Sequence, residues 1–236
     1  MQRLVVGLMG VALLAPVARA ECTNYATEPG LLVDLEPYAT KGALEDAQKA
    51  CLEENYASAE LQTTKDKISR VLLVNAYAYN TKQWAQLVAR HLEEVDRSDP
   101  DIAYLYAFYL YNNNKADSEE VIQWTNVALE RRDTWTGDVY VSRVYGLMRL
   151  RAVAANAVWE LAEKERADAG SSPEILDRIE TLRNRTKTFS REWVDFAKVS
   201  GRSTKEPLAL CMSAATRAKA CGIDDGSDDE EEEGDQ

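Results

Sequence analysis

The chain has 236 residues, enough for one or two domains, and it carries 40 acidic against 28 basic residues, a net charge of −12. An acidic excess of this size disfavours nucleic acid as a partner, because a phosphate backbone needs a positive surface to bind. Nine of the acids lie within residues 224–236, so the rest of the chain is much closer to neutrality than the total indicates.

Residues 1–20 have the parts of a signal peptide. A basic residue precedes the apolar residues 4–15, and residues 18–20 (Ala-Arg-Ala) have the small-x-small pattern that signal peptidase cleaves. Glu21 before Cys22 argues against a lipid anchor, because a small residue would precede a lipidated cysteine. No other stretch reaches the ~20 apolar residues of a membrane helix. We expect an exported chain without a membrane span, periplasmic first and extracellular second.

Residues 224–236 are expected to form an acidic tail. Loss of the leader with its two arginines leaves 26 basic against 40 acidic residues, a net charge of −14, and residues 21–223 account for only −5 of it. A run of like charges repels itself and buries no apolar surface, so we expect this tail to be disordered. It serves either solubility or contact with a basic partner, or weak calcium binding.

Four cysteines remain after export, namely Cys22, Cys51, Cys211 and Cys221. An even number in an oxidising compartment predicts disulfides. Three pairings are possible, and the easier closure of short loops favours Cys22–Cys51 and Cys211–Cys221. The chain has no Cys-x-x-Cys motif, which is the signature of redox enzymes and zinc ribbons. We therefore expect the disulfides to stabilise the two ends of the fold.

Helical periodicity dominates the chain between residues 41 and 220 and predicts an all-α protein. The apolar stripe of residues 82–97 has helical spacing. It consists of Trp84, Leu87, Val88, His91, Leu92 and Val95. Pro100 ends this helix and begins the next, over 100–113. A polar break follows, and then a further helix over 118–132.

The helix–turn–helix pattern recurs after 34 residues, since Leu87 aligns with Val121 and His91 with Thr125. This is the period of tetratricopeptide repeats, and residues 75–100 and 108–133 resemble the second halves of such repeats. The chain departs from the family pattern at Leu87 and Val121, where alanine is usual. The resemblance implies a tetratricopeptide-like superhelix of antiparallel helix pairs over residues 63–135, and such a solenoid needs flanking helices as caps. We assign one cap to the disulfide-bonded segment 21–62.

Residues 136–223 are predicted to form long C-terminal helices. Residues 136–167 read as one or two helices, and Ser172 as N-cap with Pro173 begins another. The apolar residues of that helix repeat every seven positions. This seam consists of Ile175, Ile179, Leu182, Thr186, Phe189, Trp193 and Phe196. The helix either packs against its own chain or pairs with a partner or a second copy, which leaves a homodimer open.

Signatures of catalysis are missing from the sequence. The one histidine, His91, lies in an apolar stripe, where a histidine is usually a core residue. No nucleophile elbow or phosphate-binding glycine loop is present. One histidine and oxidised cysteines give too few ligands for a transition metal. We therefore predict no enzyme activity, no cofactor and no metal, although a pair of glycosidase carboxylates is not tested by sequence.

In the family that the chain resembles, the first helix of each pair lines a concave groove. Placing Leu105, Phe108 and Tyr109 in the core turns another set of residues toward that groove. The set is Leu72, Ala76, Tyr79, Tyr106, Leu110, Asn113 and Tyr140. Tyrosine offers a large contact area with a hydroxyl group, and asparagine offers a donor and an acceptor, which suits an extended polypeptide. Ordinary packing under a neighbouring helix is the alternative for these positions.

Two classes of function are compatible with this pattern. The first is a non-catalytic interaction module of the bacterial cell envelope, a scaffold or adaptor for a partner polypeptide. It could belong to an envelope-spanning machine for secretion, motility or polymer export. The second is a periplasmic small-ligand-binding or enzyme-accessory protein with an aromatic pocket. Because this kind of scaffold hosts many roles, the fold alone does not decide between them.

Overall fold

The computed structural model describes residues 22–24, 42–79, 81–113, 118–170 and 172–223. Over these ranges the chain is all-helical, with eight α-helices, two short 3₁₀-helices and no strand. No helix within them combines the length and the apolar character that crossing a bilayer requires. The predicted signal peptide, 1–20, and the predicted acidic tail, 224–236, lie outside the described residues.

The α-helices follow one another with short connections. In chain order they are α1 (Asp46–Ser58), α2 (Gln62–Tyr79), α3 (Thr81–Glu94), α4 (Pro100–Asn113), α5 (Ser118–Glu130), α6 (Gly137–Ala169), α7 (Pro173–Val199) and α8 (Lys205–Ala214). The 3₁₀-helices, Arg132–Thr134 and Ala218–Cys221, precede α6 and follow α8. The chain forms two compact units, which meet in sequence between Leu87 and Val88. That boundary lies inside α3 and inside the segment 63–135 predicted to form repeats.

The first unit is built on the packing of α1 against α2. Leu52 of α1 and Ile68 and Leu73 of α2 are buried to 2% exposure or less. Asn75, also buried, fixes the segment that precedes α1. Its Oδ1 accepts a hydrogen bond from the Leu44 amide at 3.2 Å, and its Nδ2 donates to the Gly42 carbonyl at 2.9 Å. The buried amide is thus satisfied on both sides, as burial of a polar group requires.

A disulfide between Cys22 and Cys51 attaches the N-terminal residues 22–24 to α1. Asn55, one turn further along α1, donates from Nδ2 to the Thr23 carbonyl at 3.0 Å. The pairing is one of the two that short loop closure favoured. Because the loop it closes spans 29 residues, the covalent bond restricts a long stretch of the unfolded chain.

The second unit packs α4, α5, α6, α7 and α8 in sequence, with α7 lying along the long helix α6. Its centre is formed by fully buried apolar residues, among them Ala103 and Ala107 of α4, Val144 and Leu147 of α6, and the large Trp193 of α7. Alanine on α4 lets the neighbouring helices approach closely. Each fully buried valine or leucine stabilises the fold by roughly 1.5–3 kcal/mol relative to an exposed one.

Capping residues set the starts of two helices. Ser172 is the N-cap of α7, and its Oγ accepts from the Ile175 amide at 3.4 Å, which confirms the Ser172–Pro173 prediction. Asp99 has the same role at α4, where its Oδ1 accepts from the Asp101 and Ile102 amides at 2.9 and 3.1 Å. An acceptor at this position satisfies backbone donors that the first helical turn leaves free.

The second disulfide joins Cys211 of α8 to Cys221 of the last 3₁₀-helix, and both sulfurs are fully buried. Basic residues of α7 hold the same segment. Arg191 donates to the Lys219 and Ala220 carbonyls at 3.4 and 3.3 Å, and Lys198 donates to the Gly222 carbonyl at 3.0 Å. The C-terminal segment is therefore fixed to α7 by side chains and to α8 by a covalent bond.

Candidate polypeptide-binding groove

Three of the seven residues predicted to line a concave groove belong to α2 in the first unit. Leu72 and Ala76 are only 5% and 6% exposed, so both are core residues, where the prediction had them facing an open groove. Tyr79, at the end of α2, is 46% exposed. Leu72 and Ala76 follow the buried Ile68 at intervals of four residues, so all three lie on the same buried face of α2.

The other four predicted groove residues belong to the second unit. Leu110 is 5% exposed and lies in the core, which corrects its predicted place in the groove. Tyr106 and Tyr140 are half-buried, and Asn113 is exposed. Asn113 donates from Nδ2 to the Tyr109 carbonyl of its own helix at 2.9 Å.

The orientation of α4 explains why Leu110 was misplaced. The prediction put the bulky Leu105, Phe108 and Tyr109 in the core, yet all three are half-buried, whereas Ala103 and Ala107 are fully buried. Small residues permit close helix approach, and the large rings then lie at the margins of the contact. The prediction took the bulkiest residues of α4 as the buried ones, and it therefore assigned the inner face of this helix to the wrong residues.

The half-buried tyrosines make ring contacts that join neighbouring helices. The Tyr106 ring lies 5.7 Å from Trp124 of α5 in an edge-on arrangement and 6.3 Å from Tyr109 in a stacked one. The Tyr140 ring of α6 lies 6.0 Å from Phe196 of α7. Such pairs contribute about 0.5–1.5 kcal/mol beyond the area they bury. Helix packing is therefore one use of both tyrosines.

The seven-residue seam of α7 is covered by α6 of the same chain. Of the seam residues proposed for helix pairing, Ile179, Leu182 and Trp193 are buried, and Phe189 and Phe196 are half-buried. Trp193 packs against Tyr145 with ring centroids 5.6 Å apart, and Ala162 packs with Ile179 and Leu182. Within the described residues the seam is thus covered by its own chain, which is the first of the two alternatives that the sequence left open.

An open groove lies between the second half of α6 and α8, with a volume of about 960 Å³. Its apolar wall is formed by Val153, Trp159 and Ala167 of α6 and by Ala209 and Leu210 of α8. This groove was not predicted, because residues 136–167 were read only as one or two helices. The sequence did contain one signal for the groove: Trp159 lies in the second half of α6, which is otherwise rich in charged residues.

Charged and amide side chains form the rim of the groove and hold one another in place. Glu206 of α8 accepts from Arg149 Nε at 2.9 Å, and this hydrogen bond raises the pKa of Arg149. Glu160 accepts from Asn156 Nδ2 at 2.7 Å along α6. Lys164 lies one turn beyond Glu160, so the rim presents both signs of charge above an apolar wall.

His91 and Asp99 form a fully buried pair near the end of α3 and the start of α4. His91 Nε2 lies 3.0 Å from Asp99 Oδ2, and both side chains have 0% exposure. Because Asp99 also caps α4, the histidine helps to hold the capping carboxylate. His91 therefore occupies a core position, as its place in an apolar stripe predicted.

Comparison of the chain with protein-family models, curated proteins and solved structures finds no match in any of the three. The resemblance to tetratricopeptide repeats therefore stays a prediction. A function for this chain has to be argued from its own residues and geometry.

Proposed function

We propose that this chain is a non-catalytic protein-interaction module, exported to the bacterial cell envelope, that holds a segment of a partner polypeptide in its α6–α8 groove. In this proposal it is a tetratricopeptide-like scaffold or adaptor. It serves as a subunit of an envelope-spanning machine for secretion, motility or polymer export. The observation that carries the proposal is the groove itself, with its apolar wall and its charged rim.

The shape of the groove favours a polypeptide over a small molecule. Small-ligand sites usually enclose most of the ligand within about 300–1,000 Å³. This groove has about 960 Å³ but is open to solvent, so a small ligand would stay largely hydrated. An amphipathic helix or an extended segment would instead bury apolar side chains against Trp159 and Leu210. The rim, with Glu160 and Lys164, would meet polar groups of the partner.

Two further observations support the export part of the proposal. The two disulfides are typical of proteins that mature in an oxidising compartment. Residues 1–20 have the pattern of a signal peptide. The 34-residue recurrence between residues 75 and 133 supports the scaffold part, since solenoids of stacked helix pairs commonly bind polypeptides.

The proposal is tested by capture of envelope proteins on immobilised protein whose groove has been filled. Ala209 is exposed in the groove, so Ala209→Trp should block it without disturbing the core. Ala157 is an exposed alanine of α6 outside the groove lining, and Ala157→Trp is the matched control. We expect a polypeptide that binds saturably to wild type and to Ala157→Trp, and at least tenfold more weakly to Ala209→Trp. Equal capture by all three proteins would exclude the groove.

A further inference from the structure

A second, polar cleft lies beside the middle of α6, where the C-terminus of α5 meets the 3₁₀-helix Arg132–Thr134. Its volume is about 510 Å³. It is lined by Asn126, Leu129, Glu130, Arg132, Asp133 and Arg151. Five of these six side chains are polar or charged, which distinguishes the cleft from the apolar α6–α8 groove.

Arg151 is an arginine buried to 8% exposure at the inner wall of this cleft. It donates from one terminal nitrogen to Asn126 Oδ1 at 3.1 Å and from the other to Glu192, while its buried Nε has no acceptor among the described residues. Burial lowers the pKa of Arg151, and the ion pair with Glu192 opposes that shift. The guanidinium is therefore left with hydrogen-bonding capacity that the described protein groups do not use.

The contact with Arg151 also fixes the orientation of Asn126. Because Asn126 Oδ1 accepts from Arg151, its amide NH₂ group is the side that remains to donate. Arg132, which is exposed at the same cleft, lies close enough for its positive charge to lower the pKa of Arg151 as well. Two arginines and an amide donor thus converge on one space, and an anionic group there would relieve the repulsion between the two cations.

Two acidic side chains restrict the kind of anionic ligand that the cleft can bind. Glu130 and Asp133 line the cleft and are exposed. Because Glu192 already pairs with Arg151, these two acids outnumber the one remaining cation of the lining, Arg132. A dianion would meet their repulsion. A ligand that carries a positive group beside its negative one would satisfy both sets of side chains.

We propose that this cleft binds a small zwitterion with a carboxylate and an ammonium group, the chemistry of a free amino acid or a dipeptide. The carboxylate accepts hydrogen bonds from Arg132 and from the Asn126 amide, in the field of the buried Arg151. The ammonium group donates to Glu130 or Asp133. This site is separate from the α6–α8 groove and does not depend on the polypeptide-binding proposal.

Isothermal titration of the mature chain with named probes tests the site. The zwitterions are glycine, L-alanine and glycylglycine, and the single-charge controls are acetate and methylamine. We expect saturable binding of at least one zwitterion with a Kd of about 1 mM or tighter, and at least tenfold weaker binding of both controls. No saturable binding by any zwitterion would overturn the proposal, as would acetate binding that equals theirs.

Variants locate the binding within the cleft. Arg132 is exposed, so Arg132→Ala should leave the fold intact and weaken zwitterion binding at least tenfold. Arg217→Ala, an exposed arginine outside the cleft lining, should leave binding unchanged. Glu130→Gln with Asp133→Asn should weaken zwitterions while acetate binds no worse. Equal losses in the Arg132 and Arg217 variants would show nonspecific attraction and overturn the site.

Discussion

Arg151 of α6 forms an ion pair with Glu192 of α7, and the two differ sharply in exposure. The side chain of Arg151 is 10% exposed and that of Glu192 is 47% exposed. Arg151 also bonds Asn126 of α5, and its guanidinium lies 4.3 Å from the centre of the Phe189 ring. One buried cation thus joins three helices, and its counter-charge among the described residues is the half-exposed Glu192.

Removing that counter-charge should destabilise the second unit. Glu192→Gln leaves the Arg151 guanidinium buried without an anion, and we expect a loss of about 2–3 kcal/mol in the free energy of unfolding. Urea unfolding monitored by circular dichroism measures it. The control is Glu180→Gln, which breaks an exposed pair with Arg183 and should cost less than about 1 kcal/mol. Equal costs for the two variants would contradict the structural role of Arg151.

Asp99 offers a test of helix capping that is independent of charge. Asn at this position keeps an acceptor for the Asp101 and Ile102 amides, whereas Ala removes it. We therefore expect Asp99→Ala to be less stable than Asp99→Asn by about 1 kcal/mol. Hydrogen exchange of the first α4 amides should show the difference locally. A ranking in the opposite order would mean that the capping geometry is not retained in solution.

The lowered pKa of Asp96 should make the stability of the fold depend on pH. Burial raises the pKa of Asp96, but hydrogen bonds from the Ser98 hydroxyl and amide and the charge of Arg131 outweigh burial and lower it. A carboxyl whose folded pKa is depressed stabilises the fold above its unfolded pKa of about 3.9, and this contribution is lost as pH falls through the folded pKa.

Replacing Asp96 should therefore weaken that dependence. We expect Asp96→Asn to lower stability at pH 7 and to flatten the fall in stability below about pH 4. Unfolding midpoints measured from pH 7 down to pH 3 check both effects. Asp168→Asn, an exposed acid of α6, serves as the control and should leave the curve unchanged. A parallel shift of the Asp96→Asn curve at all pH values would refute the assignment.

The two disulfides should protect different parts of the chain. Replacing Cys211 and Cys221 by alanine releases the C-terminal segment from α8, and we expect a loss of about 2–3 kcal/mol in the second unit. Replacing Cys22 and Cys51 should instead raise hydrogen exchange in α1 while α7 amides keep their protection. Faster exchange of α7 in the Cys22/Cys51 variant would contradict this division.

Helix boundaries were predictable wherever the chain carries local chemical signals. Pro100 and the Ser172–Pro173 pair mark the starts of α4 and α7, and short loop closure indicated the disulfides. The orientation of a helix depends instead on what packs against it. Ala103 and Ala107 carry little hydrophobic signal, yet their small size decides which face of α4 is buried.

Contacts between residues far apart in the chain could not be predicted from the sequence, for a related reason. The seam on α7 has the same pattern whether α6 or another chain covers it, so its partner could not be read from periodicity. Arg151 meets Asn126 and Glu192 from 25 and 41 positions away, and no spacing rule connects them. The α6–α8 groove likewise depends on where α8 comes to lie beside α6.

Site-specific photo-crosslinking in cells tests directly whether the α6–α8 groove holds a partner polypeptide. A photoreactive residue at Ser213, which is exposed in the groove, should give a discrete adduct that is lost in the Ala209→Trp background and kept with Ala157→Trp. The same residue at Thr188, exposed on α7 outside the groove lining, should give no such adduct. Identical adducts from Ser213 and Thr188, or none from Ser213, would contradict the account.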